Sequence, residues 1–190
     1  MTFAVVALAG CLRAPPAQVH LALLDRVPTE VVRAAPLAQA LLVHRPEARP
    51  LLDTVQIAYR TRPHEVAYFA LNRWAERPTE MLHPLLVRTL ERGGRFAAVL
   101  VPPGGGNARF SLRTEVVELV QDFSVAPPVL RLAIGVRLTE EPGGKVLVAR
   151  EIRRTQAMER GTPAAGVAAA NQAVSDALAE LARLVAESTS

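Results

Sequence analysis

The feature that most constrains the fold is the uninterrupted alternation of apolar with polar or small residues from Leu130 to Thr139. This alternation predicts a strand with one buried and one solvated face. The Glu141–Gly144 segment has the composition of a tight turn, and Lys145–Ala157 then returns as an antiparallel partner. The chain therefore contains an antiparallel hairpin whose apolar face needs a covering layer.

Further strands are predicted from short apolar or alternating runs bounded by proline, glycine and polar residues. These runs are Val19–Leu24, Leu37–Val43, Thr54–Arg60, Glu65–Leu71 and Phe96–Val101. A longer strand begins at Phe110, and its alternation changes phase at Val117. One extra residue in a strand produces such a change, so we expect a β-bulge near Val117.

Two segments have helical periodicity. The first begins at Thr79, which can act as N-cap, and ends at Gly93–Gly94. If Glu65–Leu71 and Phe96–Val101 share a sheet, this helix would make them parallel. The second helix, Pro163–Glu187, is amphipathic and rich in alanine. The apolar stripe of this helix could pack against another helix in a coiled coil, but packing against the sheet is favoured.

These elements predict a single α+β domain. We expect a two-layer sandwich in which a mixed, mostly antiparallel sheet is covered on one face by two helices. With 190 residues, 50% of them hydrophobic, the chain can fill one such core.

The composition excludes several functional classes. The formal net charge is +4, but the arginines are dispersed and aromatic residues make up 4% of the chain, so no nucleic-acid partner is expected. No apolar run reaches the roughly 18 residues of a membrane-spanning helix. The single cysteine, Cys11, excludes an internal disulfide and a thiolate-based zinc site.

The N-terminal segment has the pattern of a lipoprotein signal. Residues 3–9 are apolar, and Leu8–Cys11 reads Leu-Ala-Gly-Cys, which resembles the bacterial lipobox. In that motif the thiol accepts a diacylglyceryl group and small residues admit the backbone to the signal peptidase. We therefore expect residues 1–11 to be a signal segment ending at lipidated Cys11, 12–17 to be a proline-containing tether and 18–190 to be the folded domain.

An alternative remains for the same segment. Residues 3–9 could form a buried strand, with Cys11 as a small core residue. The protein would then be a soluble ligand-binding domain or an enzyme.

Several motifs resemble the ABC-type transport auxiliary lipoprotein family. They are Leu51–Arg60, Ala67–Phe69, Asn72–Glu76, Met81–Leu86 and Ala169–Ala173, and they extend over nearly all of the chain after the tether. The resemblance implies a non-catalytic accessory subunit that works with an ATPase, a permease and a periplasmic MCE-domain protein. Such a system would move lipids or other hydrophobic molecules between the inner and outer membranes.

The resemblance and the lipobox together imply a place in the cell envelope. The protein would be held at the periplasmic face of the outer membrane by acyl chains, such as palmitate, on Cys11. In enterobacterial sorting an aspartate after the cysteine favours the inner membrane, so Leu12 indicates the outer membrane. The resemblance also leaves room for a homo-oligomer.

No catalytic, cofactor or metal site is predicted from the residues. The four histidines, His20, His44, His64 and His83, lack the spacing of a metal site. The carboxylates Glu115, Glu118 and Asp122 are expected on a solvated strand face. The glycine-rich loop Pro102–Asn107 precedes a strand, so it is not a phosphate cradle.

Aromatic residues supply the candidate contact site. Tyr59, Tyr68, Phe69 and Trp74 fall close together in a chain that has few aromatic rings. Such residues anchor interfaces, so we take Tyr59, Arg60, Tyr68 and Trp74 as candidate partner or lipid contacts. A core role is the alternative, and it is favoured for Trp74 because this residue lies between a strand and a helix.

Overall fold

The computed structural model describes residues 18–104 and 106–189. Within them, nine strands form one mixed sheet and two helices cover it. The strands are β1 (His20–Ala22), β2 (Leu37–Val43), β3 (Glu47–Ala48), β4 (Gln56–Arg60), β5 (Ala67–Trp74), β6 (Phe96–Leu100), β7 (Phe110–Asp122), β8 (Val129–Glu140) and β9 (Lys145–Ala157). The helices are α1 (Pro78–Gly93) and α2 (Pro163–Ser188).

The sheet is organised around β7. One edge of β7 pairs along its length with β8, and β8 pairs with β9, both antiparallel. The other edge pairs in turn with β2, β3 and β4, each parallel and over only a few residues. From there β2 continues to β6, whereas β4 continues to β5 and β1. The long ladders are antiparallel, which confirms a mixed, mostly antiparallel sheet.

The phase change in β7 is a β-bulge, as expected. Val116 lies opposite Ile134 and Glu118 lies opposite Ala133, which leaves Val117 as the extra residue. The positions that face the helices therefore change from even-numbered before the bulge to odd-numbered after it, so that Leu112 and Leu119 both join the core.

Both helices pack on the same face of the sheet. Leu82 and Leu86 of α1 and Leu178 and Leu181 of α2 surround one small apolar space above Val116 and its neighbours. All of these side chains are buried in a single core. This arrangement confirms the two-layer sandwich and the packing of the long helix on the sheet.

The start of α1 differs from the prediction. The N-cap is Arg77, not Thr79, and its side chain makes no capping bond. Thr79 lies inside the helix and is buried, because Pro78 takes the first helical position, where the missing N–H costs least. The C-terminus is as expected: Gly94 is left-handed, with φ +61°, and its N–H donates to the carbonyl of Glu91.

The predicted parallel relation between the strands on either side of α1 is wrong. β6 is parallel to β2, and β2 and β4 are both parallel to β7. β5 is antiparallel to β4 and so runs opposite to β6. Because β5 and β6 occupy opposite branches of the sheet, α1 connects two distant antiparallel strands.

Neither helix of the described residues is long and apolar enough to cross a membrane.

Candidate functional site

The four candidate contact residues lie on two adjacent strands. Tyr59 and Arg60 end β4, whereas Tyr68 and Trp74 belong to β5. The end of β4 also pairs with the end of β7, where Arg60 lies opposite Asp122. The fold therefore brings the candidates to one branch of the sheet, but their side chains enter different environments.

Arg60 belongs to an ionic cluster centred on Asp122. Its Nη2 donates to Asp122 Oδ2 at 2.7 Å, and Arg131 Nε donates to the same oxygen at 2.6 Å. The other carboxylate oxygen accepts from the backbone N–H and the hydroxyl of Ser124. Glu118 completes the cluster, 3.6 Å from Arg60 Nη1. One buried carboxylate thus pairs with two arginines from different strands, and Glu118 supplies the second negative charge that balances them.

The expectation of a solvated Asp122 is wrong. Its side chain is 1% exposed, whereas those of Arg60 and Arg131 are 25% and 33% exposed. The hydrogen bond from Arg60, with those from Ser124 and Arg131, holds the pKa of Asp122 well below its usual range despite burial. The same bond raises the pKa of Arg60. Asp122 is therefore a structural anion that stays charged at neutral pH and is unsuited to acid or base catalysis there.

The aromatic cluster has a different membership from the predicted one. Tyr59 stacks on Phe69 with ring centroids 4.3 Å apart, and both rings meet Phe123 edge-on at 6.2 Å. Phe123 follows β7 directly, where its backbone N–H donates to the carbonyl of Arg60. The three rings are half-buried and form a cluster beside the ionic one. Sequence reasoning missed Phe123 because it lies far from Tyr59 along the chain.

Tyr68 and Trp74 lie outside this ring cluster. The Tyr68 hydroxyl donates to the carbonyl of Leu51 at 2.9 Å, which ties β5 to the loop before β4. Trp74 is 3% exposed and belongs to the hydrophobic core. Its burial fits the core interpretation, and the surface available for a contact in this region comes from Tyr59, Tyr68 and Arg60.

The N-terminal edge of the described chain is apolar. Val19, Leu21 and Leu23 are 44%, 68% and 53% exposed. They alternate along β1 and its flanking residues, and among the described strands β1 pairs with β5 alone. These residues begin directly after the predicted tether. Cys11 itself and the tether lie outside the described residues.

Asn171 connects this edge to α2. Its Oδ1 accepts from the backbone N–H groups of Asp25 and Arg26 at 3.0 and 3.2 Å. Its Nδ2 donates to the carbonyl of Leu23 at 2.8 Å. One side chain thus satisfies three backbone groups of the segment that follows β1, and it holds that segment against the helix.

A serine and a histidine, the residue types of a catalytic nucleophile and its general base, lie within hydrogen-bond distance at the start of β7. His44 Nε2 lies 3.0 Å from Ser111 Oγ. Burial, and then the charge of Arg113, lower the pKa of His44. No described carboxylate is hydrogen-bonded to the imidazole, so the orienting member of a catalytic triad is missing from the described residues. The described residues also contain no group of three or more His, Cys, Asp and Glu side chains that could hold a metal ion.

Comparisons with known proteins identify a family from the sequence and a shared fold from solved structures. The family model for the ABC-type transport auxiliary lipoprotein component matches residues 22–182. A search of curated proteins finds no match.

Several solved structures share the fold. The crystal structure of protein XCC0632 from Xanthomonas campestris, of family DUF330, is 22% identical with a TM-score of 0.76, over 90% of this chain and 98% of that one. The structure of an uncharacterised protein is 16% identical with a TM-score of 0.68, over 82% and 99% of the two chains. The hypothetical protein CT253 from Chlamydia trachomatis is 10% identical with a TM-score of 0.51, over 78% and 98%.

Proposed function

Because this chain belongs to the family of ABC-type transport auxiliary lipoprotein components, a family of the cell envelope, we propose that it is an accessory subunit of an ABC/MCE-type transport system. The cargo would be lipids or other hydrophobic molecules moving between the inner and outer membranes. The observation that carries the proposal is the family match, which extends over residues 22–182 and so includes all of α1 and most of α2.

The proposed anchor is Cys11, at the end of a signal segment formed by residues 1–11. After cleavage, a tether of residues 12–17 would join the acylated cysteine to the domain. Six residues span at most about 20 Å when extended, so the domain would stay close to the bilayer. The exposed Val19, Leu21 and Leu23 support this placement because apolar side chains next to an anchor can enter the lipid interface. The proposed location is the periplasmic face of the outer membrane.

We propose a binding role without catalysis. The ionic cluster around Asp122 is internally neutralised, and the Ser111–His44 pair has no described carboxylate to orient it. Contacts with an MCE-domain protein, or with the permease and ATPase, would use the half-exposed surface of Tyr59, Arg60 and Tyr68. A tyrosine combines a rigid apolar ring with a polar tip, which suits such an interface. The same system could contain several copies of this chain as a homo-oligomer.

The proposal is tested by photo-crosslinking in the organism that encodes the protein. A photoreactive residue at Tyr68 should crosslink to an MCE-domain protein or a permease, identified by mass spectrometry. The same residue at Val146, which is 46% exposed on the opposite edge strand β9, is the matched control and should not. If both positions capture only abundant envelope proteins, the accessory-subunit proposal fails. Native-gel mass of the crosslinked material reports the number of copies.

A further inference from the structure

The helix-free face of the sheet carries two adjacent rows of like charges. In the first row, Glu47 of β3 pairs with Glu115 of β7, which pairs with Gly135 of β8, which in turn pairs with Glu151 of β9. The second row lies two residues before Glu115 on β7, where Arg113 pairs with Arg137 of β8. The strand register places the residues of each row directly side by side, so the two rows of like charge are a consequence of the strand pairing.

This arrangement is unfavourable for an isolated sheet, because like charges directly opposite one another destabilise a strand pair. Among the described residues, no salt bridge involves Arg113, Arg137, Glu47 or Glu115, whereas Glu151 pairs with Arg153 of its own strand. Elsewhere on the same face, Arg131 forms an ion pair with Asp122. Apart from Glu151, the charged residues of the two rows therefore have no ion pair among the described residues and are available to an external partner.

The rows form the walls of an open groove of about 470 Å³. Gly135 lies in the middle of the acidic row. A Cβ added there would meet Glu115 Cβ at an ordinary 3.7 Å, so packing does not require a glycine. The missing side chain keeps the centre of the groove open. Arg49 and Arg150 also line it.

The spacing of the rows indicates the kind of ligand. Positions two residues apart on a strand are separated by about 7 Å. A ligand that satisfies both rows must therefore carry a negative and a positive group a short distance apart. Guanidinium forks bind phosphate through paired, charge-assisted hydrogen bonds, and carboxylates accept hydrogen bonds from a primary ammonium.

We propose that this two-row groove, formed by Glu47, Arg113, Glu115, Gly135, Arg137 and Glu151, binds a zwitterionic phosphate ester of ethanolamine. The phosphate lies on the arginine row and the ammonium on the glutamate row. The source of the ligand rests on the proposed function, because a lipid transport system supplies ethanolamine phospholipids. A free phosphoethanolamine would present the same chemistry.

The proposal is tested by calorimetric titration of the full chain at low ionic strength. The probes are phosphoethanolamine, inorganic phosphate, ethanolamine, and a short-chain phosphatidylethanolamine below its micelle concentration. Phosphoethanolamine should bind at least about tenfold more tightly than phosphate or ethanolamine alone, since each of these satisfies only one row. Binding of the short-chain lipid with similar affinity identifies the source as a headgroup, and its absence identifies a soluble ligand.

Two variants and a control assign the binding to the groove. Arg137→Gln should weaken phosphoethanolamine binding about tenfold, the effect of one charge-assisted hydrogen bond. Glu115→Gln should remove the preference over inorganic phosphate while phosphate binding itself persists. Arg183→Gln, on the exposed face of α2, should change neither. Thermal melting of each variant checks that the fold is intact.

The proposal is overturned if phosphate binds as tightly as phosphoethanolamine, if Arg137→Gln leaves the affinity unchanged, or if none of the probes binds. This readout is independent of lipidation, which is measured by intact mass. A lipidated chain with an empty groove would refute this inference alone, whereas a groove that binds phosphoethanolamine in a chain without acyl groups would refute the proposed anchor alone.

Discussion

Replacement of Asp122 by asparagine tests how the β4–β7 end of the sheet is held together. The substitution preserves shape but removes the charge that accepts bonds from Arg60, Arg131 and Ser124. The new amide group would direct N–H donors towards guanidinium donors. Removing one partner of a buried ion pair costs about 3–5 kcal/mol. The two arginines remain partly exposed and can regain water, so we expect about 3 kcal/mol, at the lower end of that range.

The same substitution changes how stability depends on pH. Asp122 has a lower pKa in the folded chain than its unfolded value of about 3.9. Its stabilising contribution is therefore complete above about pH 5 and is lost as pH falls through 3.9 and towards the folded pKa. The wild-type free energy of unfolding should decline over that acidic range, and in Asp122→Asn this part of the decline should be absent.

Urea denaturation of the full chain, followed by circular dichroism at a series of pH values, measures both effects. Asp176→Asn on α2 is the matched control, and it should lose less than about 1 kcal/mol because, within the part of the chain that the structure describes, its carboxylate accepts a single hydrogen bond, from Gln172. A loss below about 1 kcal/mol in Asp122→Asn at pH 7, or an unchanged acidic decline, would refute the structural role of the cluster.

Three other substitutions test the packing of the helices and strands. Gly166→Ala should lower the free energy of unfolding in urea by about 2 kcal/mol, because the new Cβ would lie 2.0 Å from Gln121 Cδ. In a Gln121→Ala background the same substitution should stabilise the fold, since alanine favours a helix over glycine. An equal loss in both backgrounds would contradict this contact. Trp74→Ala should cost about 3–5 kcal/mol in urea denaturation, since the ring is 3% exposed; a loss below 1 kcal/mol would favour a surface contact instead. Asn171→Ala should accelerate hydrogen exchange of the Asp25 amide at least tenfold while the core of β7 stays protected, and unchanged exchange would refute the connection to α2.

Periodicity predicted the elements that local sequence determines. The alternation from Leu130 to Thr139 forms a strand because one face meets the helices, and the phase change at Val117 is the bulge itself. The long helix was also predicted nearly to its ends, because Thr162 caps it and an apolar stripe continues along it. These features depend on residues that are neighbours in the sequence.

Features that depend on distant pairing were not predicted. The direction of β6 relative to β5 follows from the way in which β7 pairs with three short strands in turn, and no local pattern encodes that order. The burial of Asp122 requires Arg60 and Arg131, which approach it only when β4 and β8 flank the same strand. Phe123 joined the aromatic cluster for the same reason. The residues could be identified in the sequence, but their partners could not.

The most direct test of the proposed function is the intact mass of the protein recovered from the membrane fraction. The full chain would be expressed with its own N-terminal segment in a bacterium that processes lipoproteins, beside a Cys11→Ala variant. We predict a wild-type mass that begins at Cys11 with added acyl chains and a membrane attachment that resists high salt, since stable anchoring comes from more than one chain. Cys11→Ala should lack this modification. An unmodified wild-type chain that retains Met1–Gly10 would contradict the lipoprotein account.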